Sequence, residues 1–191
     1  MGFIRKIVNR FLNQQEQSMG ILELGEQLRH ADLDYKFAKL FTHSGGFFNY
    51  CSDESEALQI LRKIVEIEQV NSVFCFDEDL KNFLSVLNVS QSEILDSSKD
   101  TAFISCEYLI AYDGRIMLSH NNILQYHVSK LPPRVIIMAH VSQIVSNLNS
   151  AMSKVKNKGS LKNITSIGGE REKIENIKKD HTKLFLLLIE D

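Results

Sequence analysis

The sequence is poor in cysteine, and this shortage excludes several classes of protein. Three cysteines occur among 191 residues, and no two of them form a CxxC pair. An odd number without that spacing predicts neither a disulfide framework nor a zinc or iron–sulfur site. Cys75 and Cys106 lie inside apolar runs, which favours buried, inert thiols over metal ligands.

The sequence also lacks long apolar runs and a large net charge. No apolar run is long enough to cross a bilayer, so we predict no transmembrane segment. Arg5, Lys6 and Arg10 interrupt the start of the chain, which argues against a secretion signal there. The formal net charge of -2 gives no reason to expect binding to nucleic acid. A cytoplasmic protein is therefore expected.

Familiar enzyme motifs are missing as well. The chain contains no GxGxxG, Walker, GxSxG or HExxH motif, and its six histidines lack metal-ligand spacing. No paired acids and no nucleophile–base pair emerge. The residues alone predict neither a cofactor nor a metal, and they leave the chemistry of the chain unresolved.

The N-terminal residues 1–25 differ in composition from the rest. An amphipathic helical pattern with a basic side is followed by a polar stretch, 13–25, that is typical of a linker. Such a helix can dock on a membrane surface or a partner, but a terminal helix that packs on its own domain is the more common case. The apolar positions of this helix are Phe3, Ile4, Ile7, Val8, Phe11 and Leu12.

Residues 26–191 alternate between strand and helix patterns and predict one α/β domain. The runs VFCF, VIIMA and LFLLLIE lack polar alternation, which is typical of strands covered on both faces in a mostly parallel sheet. Asp113-Gly114 predicts one antiparallel hairpin. We expect a single three-layer α/β/α domain. Its predicted helices cover 34–43, 53–70, 77–87, 141–155 and 170–180, and its predicted strands 47–51, 72–76, 102–106, 109–112, 115–119, 134–139, 161–167 and 183–190.

The glycine pair Gly168-Gly169 separates a predicted strand from a predicted helix. Ligands of open α/β sheets bind at such an edge, and the helix dipole there favours an anion. However, Glu170 and Glu172 already satisfy that dipole and would repel a phosphate, which Arg171 offsets only in part. A plain turn is therefore favoured over an anion site.

Few other residues stand out as candidates for chemistry. Glu107 precedes a buried strand, where the pKa of a carboxyl group can be perturbed. His181 precedes the last strand, although a histidine that interacts with a helix dipole is the more common case. Asp113 is most simply a turn former.

Four segments together resemble the LUD domain, a family named for lactate-utilisation protein C. They are CEYLIAYDGRIMLSHN, LPPRVIIMAHVSQIV, the Gly168-Gly169 pair and HTKLFLLLIED, and HSGGFFNYCSDESEAL resembles an earlier part of the family pattern. The resemblance covers about 34–191. It implies a NagB/RpiA/CoA-transferase-like α/β fold, whose members bind phosphosugars or coenzyme A near strand carboxyl ends.

The polar signatures of the family are only partly kept. Its TGT turn is Asp113-Gly114-Arg115 here, and no histidine follows LPP. His181 matches the histidine of the family's HGP motif. In the glycine loop Gly168 and Arg171 match, while acidic residues replace the small hydroxylated ones. We expect an altered or lost ligand site. The ligand-binding candidates implied by the resemblance are Asp113, Gly114, Arg115, Gly168, Gly169 and Arg171, and the catalytic candidates are Glu107, Glu170 and His181.

Three functions remain open. The resemblance implies a non-redox accessory component in L-lactate oxidation to pyruvate, with iron–sulfur lactate-utilisation proteins as partners and without a cofactor of its own. The alternatives are an acyl- or phosphosugar-handling enzyme and a binding or regulatory module with a degenerate pocket for a small anionic ligand. The sequence also leaves open whether the chain forms a homo-oligomer.

Overall fold

The computed structural model describes residues 19–96, 99–158, 161–168 and 182–191. The helices are α1 (Ile21–Gln27), α2 (Leu33–His43), α3 (Glu54–Ile67), α4 (Glu78–Val86), α5 (His120–Ile123) and α6 (Leu148–Lys158). The strands are β1 (Phe47–Cys51), β2 (Ser72–Phe74), β3 (Ser90–Ser92), β4 (Thr101–Ile104), β5 (Tyr108–Ile110), β6 (Arg115–Leu118), β7 (Arg134–His140), β8 (Ile144–Val145), β9 (Thr165–Ile167) and β10 (Lys183–Ile189).

The main sheet has six strands in the order β1-β10-β7-β4-β2-β3, and all of its pairings are parallel. Both of its faces are buried. In β10, Leu184, Leu186 and Leu188 join the core on one face, while Phe185 and Leu187 join the core on the other. This double burial is why the strand sequence shows no polar alternation. The predicted α/β class and mostly parallel sheet are confirmed.

A smaller sheet in the order β8-β5-β6-β9 carries the predicted hairpin. Strands β5 and β6 pair antiparallel on either side of Asp113-Gly114, and β9 pairs antiparallel with β6. Leu109 and Ile116 of this sheet pack into the same core as the main sheet. The hairpin therefore belongs to a second sheet rather than to the main one.

Local residues explain two of the helix ends. The carboxylate of Asp53 accepts the backbone N–H of Glu56 at 2.8 Å and caps α3. The Glu56 carboxylate in turn accepts the backbone N–H of Ser52 at 2.8 Å. After α2, Gly45 has a φ of 98°, the left-handed conformation that glycine tolerates at a helix end.

The helix predicted over 141–155 is wrong in its first part. Val141–Gln143 forms a 3-10 turn, β8 follows, and α6 begins at Leu148. Val145 accepts the backbone N–H of Ala111 at 2.8 Å, so pairing with β5 overrides the helical pattern. The Asn147 side chain accepts the backbone N–H of Ser150 at 3.0 Å and marks the true helix start.

Three further segments differ from expectation or lie outside the described residues. Helix α1 and its buried Leu24 occupy part of the stretch that was predicted to be a linker. The polar edge strand β3 was not predicted, because Ser-Gln-Ser carries no strand pattern. The helices predicted at the start of the chain and over 170–180 lie outside the described residues. No helix in the described part is long and apolar enough to cross a membrane.

Candidate functional site

Glu107 lies near the carboxyl end of β4, the edge at which open parallel sheets bind ligands. Its backbone N–H donates to Met117 of the neighbouring β6 at 2.9 Å. The residue is only 8% exposed. Its carboxylate oxygen Oε1 accepts the Ser119 hydroxyl at 2.6 Å and the Asn121 side-chain amide at 3.2 Å. The acid is therefore held in one orientation by two donors.

Ser119 connects this acid to the start of α5. Its hydroxyl oxygen also accepts the backbone N–H of Asn121 at 3.0 Å, and the side chain of Asn122 accepts the Ser119 backbone N–H at 2.8 Å. These reciprocal bonds form a capping box. Asn122 then donates to the Ser105 hydroxyl at 3.2 Å. We call Ser105, Glu107, Ser119, Asn121 and Asn122 the Glu107 cluster.

The arrangement of the cluster limits what it can do chemically. Ser119 is fully buried, and its hydroxyl donates to Glu107, so it is not placed as an accessible nucleophile. Glu107 is the member that can exchange a proton. The neighbouring Cys106 is buried, and burial raises the pKa of its thiol, which stays protonated at neutral pH. Gln143, just after β7, donates to the Cys106 carbonyl at 2.6 Å and holds this edge together.

The Asp113-Gly114 turn is explained by packing. The Asp113 carboxylate accepts the backbone N–H of Arg115 at 3.2 Å. Gly114 has a φ of 72°, and a Cβ built there would lie 2.6 Å from the Phe41 nitrogen and 2.7 Å from the Leu40 carbonyl carbon. Glycine is therefore required for the turn to approach α2. Gly114 itself is buried against that helix.

Arg115 and Gly168, two of the predicted ligand-binding residues, line one cleft of about 220 Å³. The Arg115 guanidinium donates to the Ser166 carbonyl at 3.3 Å, which fixes it beside β9. Among the described residues that line the cleft, Arg115 is the one charged group. The others are Val128, Ser129, Leu131, Val135, Ile167, Thr182 and Leu184.

The cleft does not lie at the edge that was expected for the glycine loop. Val135 and Leu184 are the second residues of β7 and β10 and are paired in register, so the cleft lies at the amino ends of these strands. The sequence left open whether Gly168 lies at the ligand-binding edge of a parallel sheet or in a plain turn. Gly168 follows β9, which is an antiparallel edge strand of the smaller sheet and not a strand of the parallel sheet. Glu107, near the carboxyl end of β4, does not line this cleft.

The structure does not describe the remaining predicted site residues. Gly169, Glu170, Arg171 and His181 lie outside the described residues. The described ranges contain no group of three or more His, Cys, Asp or Glu side chains that could hold a metal ion.

Sequence reasoning missed an ionic network at the amino edge of the main sheet. The Arg134 guanidinium lies 3.6 Å from the Glu68 carboxylate and 3.5 Å from that of Asp100. Lys183 contacts the same Glu68 carboxylate at 2.7 Å. The basic residues begin β7 and β10, while Glu68 follows α3, so chain order gives no sign of the contact. The network stabilises the amino ends of these strands, whereas the Glu107 cluster lies at the carboxyl end of β4.

Comparison with known proteins gives a match to a family model and to a solved structure. Residues 96–184 match the sequence model of the LUD domain, and this range includes Glu107, Arg115 and Gly168. No curated protein matches the chain. A crystal structure of a DUF162 family protein from Deinococcus radiodurans has a TM-score of 0.62 and 16% identity, over 84% of this chain and 96% of that one. At that identity the likeness shows a shared fold. The chain is therefore similar to the LUD domain family over residues 96–184.

Proposed function

We propose that this chain is a non-redox accessory component in the oxidation of L-lactate to pyruvate. The LUD domain match over 96–184 supports a role in lactate utilisation. The proposal takes the protein to be cytoplasmic and to act beside iron–sulfur proteins that carry the electrons.

The burial and placement of the cysteines support the proposal that the chain itself carries no redox centre. All three cysteines are buried. Burial raises the pKa values of Cys51 and Cys75 from 9.0 to about 12, and it raises the pKa of Cys106 as well. An iron–sulfur cluster is held by several converging thiolates, and the described residues contain no group of three or more cysteine, histidine or acidic side chains that could hold a metal, so these cysteines are poor cluster ligands. The sulfur ligands of the redox centres would therefore come from partner proteins.

A deletion strain of the source organism tests the proposal. We expect it to grow normally on glucose and poorly on L-lactate, and to regain growth when the wild-type gene is supplied. In extracts, L-lactate-dependent dye reduction should fall after deletion and return when the purified chain is added. The purified chain alone should reduce no dye. Unchanged growth and dye reduction in the deletion strain would reject the role.

The geometry of Glu107 favours a second candidate, an acyl- or phosphosugar-handling enzyme of the CoA-transferase-like fold. A buried acid with fixed donors at the carboxyl edge of a parallel sheet is a plausible general base or nucleophile. A thermal-shift screen with coenzyme A, acyl-coenzyme A and sugar phosphates should then find a ligand. A ligand present at about 100 times its dissociation constant adds about 2.7 kcal/mol of stability.

Glu107→Gln separates the two candidates. In the enzyme it should abolish turnover of the ligand found by the screen while the protein stays folded. In the accessory component it should still restore lactate growth, because Gln retains an oxygen that accepts from Ser119. Glu66→Gln on the exposed side of α3 is the matched control, and it should change neither result.

A further inference from the structure

Strand β1 forms one edge of the main sheet, and within the described ranges no strand pairs with its outer side. Its sequence, FFNYC, contains no charged residue and no proline. Natural edge strands are commonly protected by charge, proline, a bulge or very short length. The other edges follow this rule, since β3 and β9 have three residues each and β8 has two. Strand β1 has five residues and none of these protections.

The backbone of β1 presents an ordered set of hydrogen-bonding groups on that outer side. The Cys51 carbonyl accepts the backbone N–H of Glu190, so Cys51 faces β10. In a parallel pairing every second residue directs both backbone groups to the same neighbour. Asn49 therefore also faces β10, while the N–H and C=O groups of Phe48 and Tyr50 point outward.

We propose that β1 pairs antiparallel with β1 of a second copy of this chain, about a twofold axis that passes beside Asn49. In this register Phe48 lies opposite Tyr50 of the second copy, and Asn49 lies opposite its own equivalent. The outward backbone groups of Phe48 and Tyr50 then exchange hydrogen bonds with those of the second copy. The two six-stranded sheets become one continuous sheet, and the same surface is used by both copies.

The side chains fit the same register. Phe48 and Tyr50 lie on the face of the sheet that packs with Leu186 and Leu188. Across the axis each Phe48 ring would lie beside a Tyr50 ring, a favourable cross-strand pair. On the opposite face the two Asn49 amides can donate to and accept from each other. The strand carries no charged side chain, so in this register no like-charged residues of β1 oppose one another.

This pairing goes beyond the proposed function and does not depend on it. Lactate growth reports on the role of the chain in the cell, whereas the mass of the purified chain reports on the β1 contact. If the growth test fails, the dimer proposal still stands. If the protein is monomeric, the result of the growth test still stands.

Sedimentation of the purified full chain gives the first result. We expect a species with twice the 21.8 kDa chain mass, in equilibrium with monomer on dilution. A monomer at every accessible concentration would overturn the proposal. Amide hydrogen exchange adds a local readout, since the N–H groups of Phe48 and Tyr50 should be protected in the dimer and exchange faster on dilution.

A charge swap at Asn49 tests the register. Asn49→Lys and Asn49→Asp each place two like charges opposite each other on the axis, so each variant alone should dissociate at least about tenfold more readily than wild type. When the two variants are mixed, the charges are opposite and a mixed dimer should form. A dimer that resists both substitutions, or a mixture that stays monomeric, would overturn this register.

Two controls separate repulsion from misfolding. Among the described residues the Asn49 side chain donates one long hydrogen bond, of 3.4 Å, to the Leu186 carbonyl, so each variant should retain the circular dichroism spectrum of the wild type. Recovery of the dimer on mixing also requires folded partners. Gln91→Lys on the opposite edge strand β3 introduces the same charge away from β1 and should leave the dimer unchanged.

Discussion

The Ser119 hydroxyl donates to the Glu107 carboxylate across 2.6 Å while it caps the first turn of α5. One hydroxyl therefore binds the buried Glu107 carboxylate and caps the helix, so the position of the acid depends on the geometry of the helix start. The cluster is therefore a structural support as well as a candidate for proton transfer. Stability and activity measurements on the same substitution can separate the two roles.

Glu107→Ala should destabilise the protein. It removes the acceptor of both Ser119 and Asn121, and a buried donor left without a partner costs about 1–3 kcal/mol. Urea unfolding followed by circular dichroism should show a lower midpoint with an unchanged slope. Glu66→Ala on the exposed side of α3 should change the free energy of unfolding by less than about 0.5 kcal/mol. Equal losses in the two variants would show that the cluster adds nothing to stability.

Gly114→Ala should be strongly destabilising. The residue has a φ of 72°, and its Cβ would lie 2.6 Å from the Phe41 nitrogen, so strain and overpacking act together. We expect a loss of at least about 2 kcal/mol in thermal or urea unfolding. Gly20→Ala is the matched control, because nothing lies within 4 Å of the Cβ built there. A Gly114→Ala protein as stable as this control would contradict the close packing of the hairpin on α2.

Alkaline pH should destabilise the fold through Tyr50. Burial, followed by the hydrogen bond to Glu190, raises the pKa of Tyr50 from 10.0 to about 12. Above pH 10 the unfolded chain loses the tyrosine proton while the folded chain keeps it. The stabilising contribution is therefore complete below pH 10 and is lost as the pH rises toward 12. Comparing wild type with Tyr50→Phe in urea at pH 8 and pH 11 measures it, and an identical pH dependence would contradict the shift.

Arg134→Gln should weaken the amino edge of the main sheet. The change leaves Asp100 and Glu68 without a guanidinium that now lies 3.5 and 3.6 Å from them. Since the three side chains are only partly exposed, we expect a loss of about 1–2 kcal/mol that shrinks as salt is added. Arg62→Gln on the exposed side of α3 should have no measurable effect. If both variants unfold alike at low salt, the network does not stabilise the sheet.

The main sheet was largely predictable, because burial on both faces leaves a direct trace in strands such as β7 and β10. Strand β8 was not predictable in the same way. Its two residues gain strand geometry from Ala111 and Leu109, more than thirty positions earlier in the chain. Local periodicity continues as a helix through this point, so only the tertiary pairing reveals the strand.

The candidate site was predictable as single residues and not as groups. Glu107 stood out because an acid precedes a buried strand, but its contacts with Ser119 and Asn121 depend on the register of β5 with β6. The sequence predicted a hairpin turn at Gly114, and the family resemblance made it a ligand-binding candidate. Its close approach to Phe41 needed the position of α2, which no local pattern contains.

The position of β10 between β1 and β7 has a consequence for the order in which the chain folds. Asn49 of β1 contacts Leu186 of β10 across 137 positions of sequence. On the ribosome, β1 and its flanking helices emerge long before their neighbouring strand exists. The sheet can close only when β10 has left the exit tunnel, so until then β1 has no partner strand and β7 is paired only with β4. Such long-range closure slows folding and exposes strand edges to aggregation during synthesis.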